Sequence, residues 1–243
     1  MAIKDKPSFD IPQLKQKITV NCKKLDDKQL HFLEKSLSPK TKLMFVSGPA
    51  GTAKTYMSVY SALRLLGSND SLDLLYVRTV IESAEKGLGA LPGDLDEKFN
   101  PYIAPLMDKL DEMLPKTSTI KKDLFNKGRI SAVPINFLRG ANWRHKVVIA
   151  DEAQNFTFKE LITLITRAGE GSRIFVCGDP MQSDINGRSG FVDMFNIFND
   201  EGSKRKGIEC FEFSNEDIKR SAILKFIISK LSNHGAIQKN RQS

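Results

Sequence analysis

Residues 48–55 read GPAGTAKT; the apolar run LMFVS (43–47) precedes them and TYMSVYSALRLLG (55–67) follows. An apolar run of strand length, a glycine-rich loop, and a segment apolar all round that stops at Gly67 predict a strand, a turn and a buried helix. The loop matches G-x-x-x-x-G-K-[ST] at every fixed position but one, because Ala53 stands where the second glycine belongs. In that pattern the backbone N–H groups and the helix N-terminus face phosphate oxygens. Gly48, Pro49, Ala50, Gly51, Thr52, Ala53, Lys54, Thr55 and Tyr56 are therefore the candidate nucleotide contacts. Lys54 would neutralise phosphate charge, and Thr55 would hold Mg²⁺. A Gly/Pro turn ahead of an ordinary helix is the competing reading of these eight residues alone. If Ala53 takes helix-like angles its methyl group matters little, whereas a required positive φ costs about 1 kcal/mol.

Two further strand ends carry polar chemistry. VVIADEAQN (147–155) is an apolar run closing on adjacent carboxylates. Asp151 is placed to reach Mg²⁺ through its water shell, and Glu152 to polarise an attacking water, which favours hydrolysis over transfer to a hydroxyl. The alternative is a solvated turn with a capping role. Thr157 and Glu160 already supply a T-x-x-E capping box for the next helix, so the pair is not needed as a cap. RIFVCGDPMQSD (173–184) repeats the design and sets Gln182 where it could sense a γ-phosphate or position water, although Gly-Asp-Pro is also a common turn.

The rest of the chain alternates in the same way. LDLLYV (72–77), AVPINF (132–137), KVVIA (146–150), RIFVC (173–177) and IECFEF (208–213) are strand candidates. Helical stretches are expected at 25–37, 101–113, 158–168, 188–199 and 217–231. The alternation predicts an α/β fold with a mostly parallel sheet. At 243 residues one generous domain is expected, over 25–232, flanked by a basic N-terminal arm (1–24) and a polar tail (233–243). Thirty-seven basic against 29 acidic residues give a formal charge of +8, which suits a polyanion and is equally compatible with a merely soluble basic protein. Cys22, Cys177 and Cys210 are widely spaced without metal-ligand spacing, which fits a reducing cytoplasm. No run is long enough to span a membrane, and no signal sequence opens the chain, so neither secretion nor membrane insertion is expected.

Walker A, D-E-x-Q and G-D-x-x-Q in this order resemble the first motor domain of superfamily-one helicases, which implies a RecA-like P-loop NTPase with three αβα layers. RTVIESAEKGLGALPGDLDEKFNPYIAPLMDKL (78–110), FLRGANW (137–143), DEAQN and LITRAGEGSRIFVCGDPMQSD narrow the resemblance to the PhoH family of phosphate-starvation-linked ATPases, over about residues 25–231. The chain departs from that family's pattern at Ala53, Thr79, Ala84 and Ser221. The resemblance implies ATP and Mg²⁺ as ligands, Gln29 as a reader of the adenine edge, and Arg78, Thr79 and Arg139 as contacts to nucleic acid or nucleotide. A surface glutamine and loop ion pairs are the plain alternatives. Trp143, set among Arg139, Arg144 and Lys146, could stack a base, though a lone tryptophan more often packs within its own domain.

After Asp184 about 60 residues remain, too few for a second motor domain. An arginine finger must then come from a neighbouring subunit, and Arg220 in D-x-x-R (Asp217, Arg220) is the foremost candidate, ahead of Arg167 and Arg173. Head-to-tail contacts of this kind close into rings, and the resemblance implies a hexamer. The function expected is an ATP-hydrolysing motor or remodeller of single-stranded RNA or DNA, with RNA favoured. The alternative is a ring-forming switch that hydrolyses slowly and does not translocate.

Overall fold

The computed structural model describes residues 18–79, 95–117, 119–138, 142–185 and 187–219, together with 223, 226, 227 and 230; for 95–102 it describes the backbone alone. Six parallel strands form one sheet in the order β3-β2-β4-β5-β1-β6: β1 (Leu43–Ser47), β2 (Asp73–Arg78), β3 (Ile130–Pro134), β4 (Lys146–Asp151), β5 (Arg173–Gly178) and β6 (Ile208–Glu212). Because side chains alternate along a strand, each central strand feeds two cores. Met44, Val46, Tyr76, Ile149 and Phe175 pack on one face under α1 (Asp27–Leu37), α2 (Lys54–Ser68) and α3 (Leu95–Met113). Phe45, Val77, Val148, Ala150 and Val176 pack on the other under α5 (Phe158–Ile165) and α6 (Phe191–Phe198). The result is the three-layer, RecA-like αβα arrangement.

Local chemistry explains where elements start and stop. Asp26 caps α1 and Thr157 caps α5, each through a complete capping box. The strand expected at 132–137 is instead Ile130–Pro134 followed by a 3₁₀ turn, since β3 is an edge strand and Pro134 has no N–H to extend the ladder. The helix expected from 188 begins at Phe191. Gly190 precedes it, where a Cβ would lie 2.3 Å from the Phe158 Cα, so α5 and α6 approach closely only over a glycine. Two short helices not expected from the sequence, α4 (Ile120–Asn126) and α7 (Glu201–Arg205), lead into β3 and β6.

The helix expected over 217–231 also starts late. Asn215–Asp217 form a 3₁₀ turn whose cap, Ser214, donates through its N–H (2.7 Å) and hydroxyl (3.0 Å) to Asp217. Ile218 is extended and buried, and the Lys219 N–H donates to the Gly51 carbonyl at 2.8 Å. Residues 223, 226, 227 and 230 are helical, with Ile223, Phe226 and Ile227 exposed. Of the N-terminal arm, Ile18 packs into the first core and the Asn21 N–H donates to the Met113 carbonyl.

Candidate functional site

In a parallel sheet all strand C-termini lie along one edge, where ligands of open α/β sheets bind. Here the loops after β1, β4 and β5 meet at that edge in a cleft of about 830 Å³. Gly48 opens the loop after β1. A Cβ there would sit 2.8 Å from both the Phe213 Cβ and carbonyl oxygen, so the chain passes only as glycine. Gly51 has φ 85° and Ala53 has φ 67° with ψ 24°, so the alanine occupies the left-handed region that the glycine of the pattern would normally fill. The positive-φ case set out from the sequence is the one realised. Ala53 is the N-cap of α2 and provides no side-chain cap. The first-turn N–H groups of Lys54, Thr55 and Tyr56 thus face the cleft with no carbonyl one turn below them.

The Lys54 ammonium folds over the loop and donates to the carbonyls of Gly48 (2.6 Å) and Pro49 (2.9 Å). Burial pulls its pKa below the ordinary lysine value, while Asp179, Cys177, Asp151 and Glu152 act in the opposite sense. Thr55 and Asp151, 96 residues apart in sequence, meet through a 2.9 Å hydrogen bond from the Thr55 hydroxyl to Asp151 Oδ1. Oδ2 of the same carboxylate accepts from the Tyr76 hydroxyl at 2.6 Å. Burial first, and the Asp151 charge second, push the Tyr76 phenol well up, so it remains a donor.

Glu152, one residue on, is the N-cap of a 3₁₀ turn with φ 54° and ψ 41°, a second non-glycine residue in left-handed geometry at this edge. Such strain persists only where neighbours enforce it. Gln154 Nε2 donates to Glu152 Oε2 at 2.5 Å, and Arg78 Nη2 stands 3.7 Å from Oε1. Gln154 Oε1 in turn accepts the Asp179 N–H at 2.9 Å. Asn155 and Asp184 bond reciprocally (2.8 and 3.2 Å), and the Ser183 hydroxyl donates to the Gln154 carbonyl. These bonds tie the turn after β4 to the loop after β5. That loop presents exposed Gln182 to the cleft.

Most of the sequence-derived residues come together: the loop from Gly48 to Tyr56, Asp151, Glu152, Gln182, Arg78 and Gln29 all lie at this edge. Gln29 is 7% exposed, not a surface glutamine. Its Oε1 accepts the Asp26 N–H at 3.3 Å within the capping box, and it lines the cleft. Thr79, half-buried, follows Arg78 at the end of β2. Arg220 and Arg139 lie outside the described residues, as do Ala84 and Ser221 of the family comparison. Tyr76, Gln154, Asn155, Asp179, Asp184 and Lys219 were not singled out from the sequence. Gln154 was present as the Q of D-E-x-Q, and Tyr76 becomes visible only once strand register is known.

Trp143 is a correction. At 3% exposed it packs in the second core, and its segment precedes β4, so it lies at the sheet edge opposite the cleft. A base cannot stack on a ring that is covered. Arg129, one of the chain's 37 basic residues, is likewise buried at 1% exposed: it donates to the Leu72 carbonyl at 2.8 Å and stands 3.2 Å from Asp73, off the line of a hydrogen bond. Lys121 pairs with Asp111, Lys146 with Asp73, and Lys204 with Glu201, so part of the basic excess is locally neutralised.

The donor set fits a magnesium-bound nucleoside triphosphate. Among the described residues no three His, Cys, Asp or Glu side chains converge on one point. One carboxylate and one hydroxyl beside a phosphate-binding loop is how Mg²⁺ is usually taken, with ligand phosphates and waters completing its shell.

A glycine-rich loop capping α2, an adjoining Thr55–Asp151 pair, and a carboxylate at the next residue define a RecA-like P-loop NTPase domain. Residues 21–232 match the family described as PhoH-like protein, and the chain belongs to it. A PhoH-like protein of Synechocystis sp. is 39% identical over 146 residues, covering 60% of this chain and 44% of that one. Protein PhoH of Escherichia coli K12 is 33% identical over 203 residues, covering 82% and 54%. The chain spans about half the length of the curated relatives it matches. The large terminase from a thermophilic bacteriophage superposes with a TM-score of 0.50 at 13% identity, over 82% of this chain and 48% of that one, a likeness of fold.

Proposed function

We propose that residues 25–232 form a single ATP-hydrolysing domain, with 1–24 as a basic arm and 233–243 as a tail, and that it remodels single-stranded nucleic acid, RNA in preference to DNA, as a ring. The observation that carries the ATPase reading is the Thr55–Asp151 hydrogen bond at 2.9 Å, with Glu152 beside it, in a cleft whose floor is an uncapped helix N-terminus. Mg²⁺, when bound, neutralises phosphate charge. The chain's own groups do the remainder. Loop N–H groups and Lys54 bind the triphosphate, Thr55 and Asp151 hold the metal, Glu152 takes the proton of the attacking water, and Gln182 orients it. Gln29, through the amide nitrogen that its capping bond leaves available, meets the base. Arg78 and Thr79, on the same edge, and Arg139 contact nucleic acid, and Arg220 completes a neighbour's site in a hexameric ring. Among the described residues no helix is long and apolar enough to cross a membrane, and the three cysteines are free, in keeping with a cytoplasmic setting.

ATP turnover by the wild type, with and without RNA and DNA oligonucleotides at low salt, tests this. Stimulation by single strands that disappears in Glu152→Gln supports the motor, and turnover indifferent to every oligonucleotide refutes it. One observation favours the alternative of a slow, non-translocating switch: Glu152 is already engaged by both Gln154 and Arg78. Strand displacement by the wild type would exclude that reading.

A further inference from the structure

Asp151 is the buried carboxylate on which the metal reading rests, and two hydroxyls hold it. They are not equivalent. The Thr55 hydroxyl is also to meet the cation through an oxygen lone pair while its proton stays on the carboxylate, so its placement answers to the metal as well as to Asp151. The Tyr76 hydroxyl has no such second duty.

Its placement follows from register. β2 and β4 pair in parallel with Tyr76 beside Ile149 and Arg78 beside Asp151. Tyr76 and Asp151 therefore lie on the same face as diagonal neighbours, about 7–8 Å apart at the backbone, a gap that a phenol spans and a shorter side chain does not. The ring is fully buried in the first core, among side chains from α2, α3 and the sheet, so its hydroxyl is held by packing on all sides. At 2.6 Å the contact has the length of an O–H donor bonded to a charged oxygen.

We propose that Tyr76 is the positioning residue of the metal site: its buried hydroxyl fixes Asp151 Oδ2 and so aims the other carboxylate oxygen at the magnesium of the bound nucleotide. This deepens the nucleotide reading above and rests on it. Partners in the outer shell of a metal ligand typically carry about 10- to 100-fold in metal affinity. They act on the metal and leave direct contacts to the rest of the ligand alone.

The test is equilibrium binding of a fluorescent, non-hydrolysable ATP analogue to wild type and Tyr76→Phe, first in EDTA and then across a Mg²⁺ titration. The expected result is metal-free affinity within about twofold of wild type and a half-saturating Mg²⁺ concentration raised about tenfold. An unchanged Mg²⁺ dependence, or equal losses with and without metal, overturns the proposal. Wild type that ignores the analogue, or whose binding Mg²⁺ does not tighten, refutes the nucleotide reading instead. A double-mutant cycle adds a readout that mere packing would not move: in an Asp151→Asn background, Tyr76→Phe should have no further effect on Mg²⁺ dependence. Additive losses count against it. If Tyr76→Phe alone does not fold, recovery in the double variant supports the assignment, and failure to recover contradicts it.

Discussion

Replacing Ala53 by glycine separates the stability of the loop from its affinity. Ala53 has φ 67° and ψ 24°, where an L side chain is strained by about 1–2 kcal/mol. Glycine removes that strain but loosens the unfolded chain by about 0.4–1 kcal/mol. Deleting the half-buried methyl, which packs against the first core, costs a further few tenths of a kcal/mol, roughly a third of a buried methylene. The balance is a stabilisation of about 0.5 kcal/mol, or a rise in Tm of about 1–2 °C for a chain of this size. Where the folded loop itself holds Ala53 in the left-handed conformation, the strain is met on folding and not on binding. Nucleotide affinity should therefore change by less than about threefold, under 0.7 kcal/mol. Guanidinium unfolding and calorimetric titration of ATP measure the two quantities on the same samples. A loss of stability above about 1 kcal/mol would show that the methyl packs better than it strains. A tenfold gain in affinity would show that the loop must rearrange at residue 53 to bind.

Other outcomes follow from the same geometry. Lys54→Ala should weaken ATP binding by about 100-fold, the order expected for loss of a buried charged donor, and titration showing an unchanged Kd would undo the loop assignment. Mixing Arg220→Ala subunits with Glu152→Gln subunits should restore part of the ATPase activity, since each can complete the other's site; a strictly proportional loss would contradict an arginine supplied in trans. Arg129→Met should lower stability by about 2–3 kcal/mol in denaturant unfolding, because the buried Leu72 carbonyl loses its donor and, among the described residues, Asp73 keeps Lys146 alone as an ionic partner. Lys23, and then Lys109, hold the Glu112 carboxyl below its ordinary value, so their contribution is present above the unfolded-state pKa and fades as pH falls through the folded one. Proteolytic cleavage after Lys23 should accelerate over that acid window, and Glu112→Gln should cleave rapidly even at neutral pH.

The order of motifs along the chain made the nucleotide edge legible, because the loop, Asp151, Glu152 and Gln182 each close an apolar strand. Register was not legible. Tyr76 looks like any aromatic in LDLLYV until β2 is set beside β4, and only then does it reach Asp151. The status of Ala53 could be posed as two cases from sequence, but the choice between them needed its φ. Of the two readings of Trp143, stacking a base because arginines flank it or packing within its own domain, the structure realises the second: its backbone pairs with Ala168 and its ring fills the second core. The helix expected from Asp217 starts late because Ser214 captures that carboxylate as a cap, a local contest between side chain and backbone that periodicity does not register.

The bond from the Lys219 N–H to the Gly51 carbonyl joins the strand of chain leaving β6 to the middle of the phosphate-binding loop, and the Lys219 ammonium is moored at Asp26, the cap of α1. Gly51 cannot swing without either severing that link or dragging residue 219 along. Three segments remote in sequence therefore share one mechanical joint, and whatever fills the cleft is levered directly against the root of the C-terminal helix.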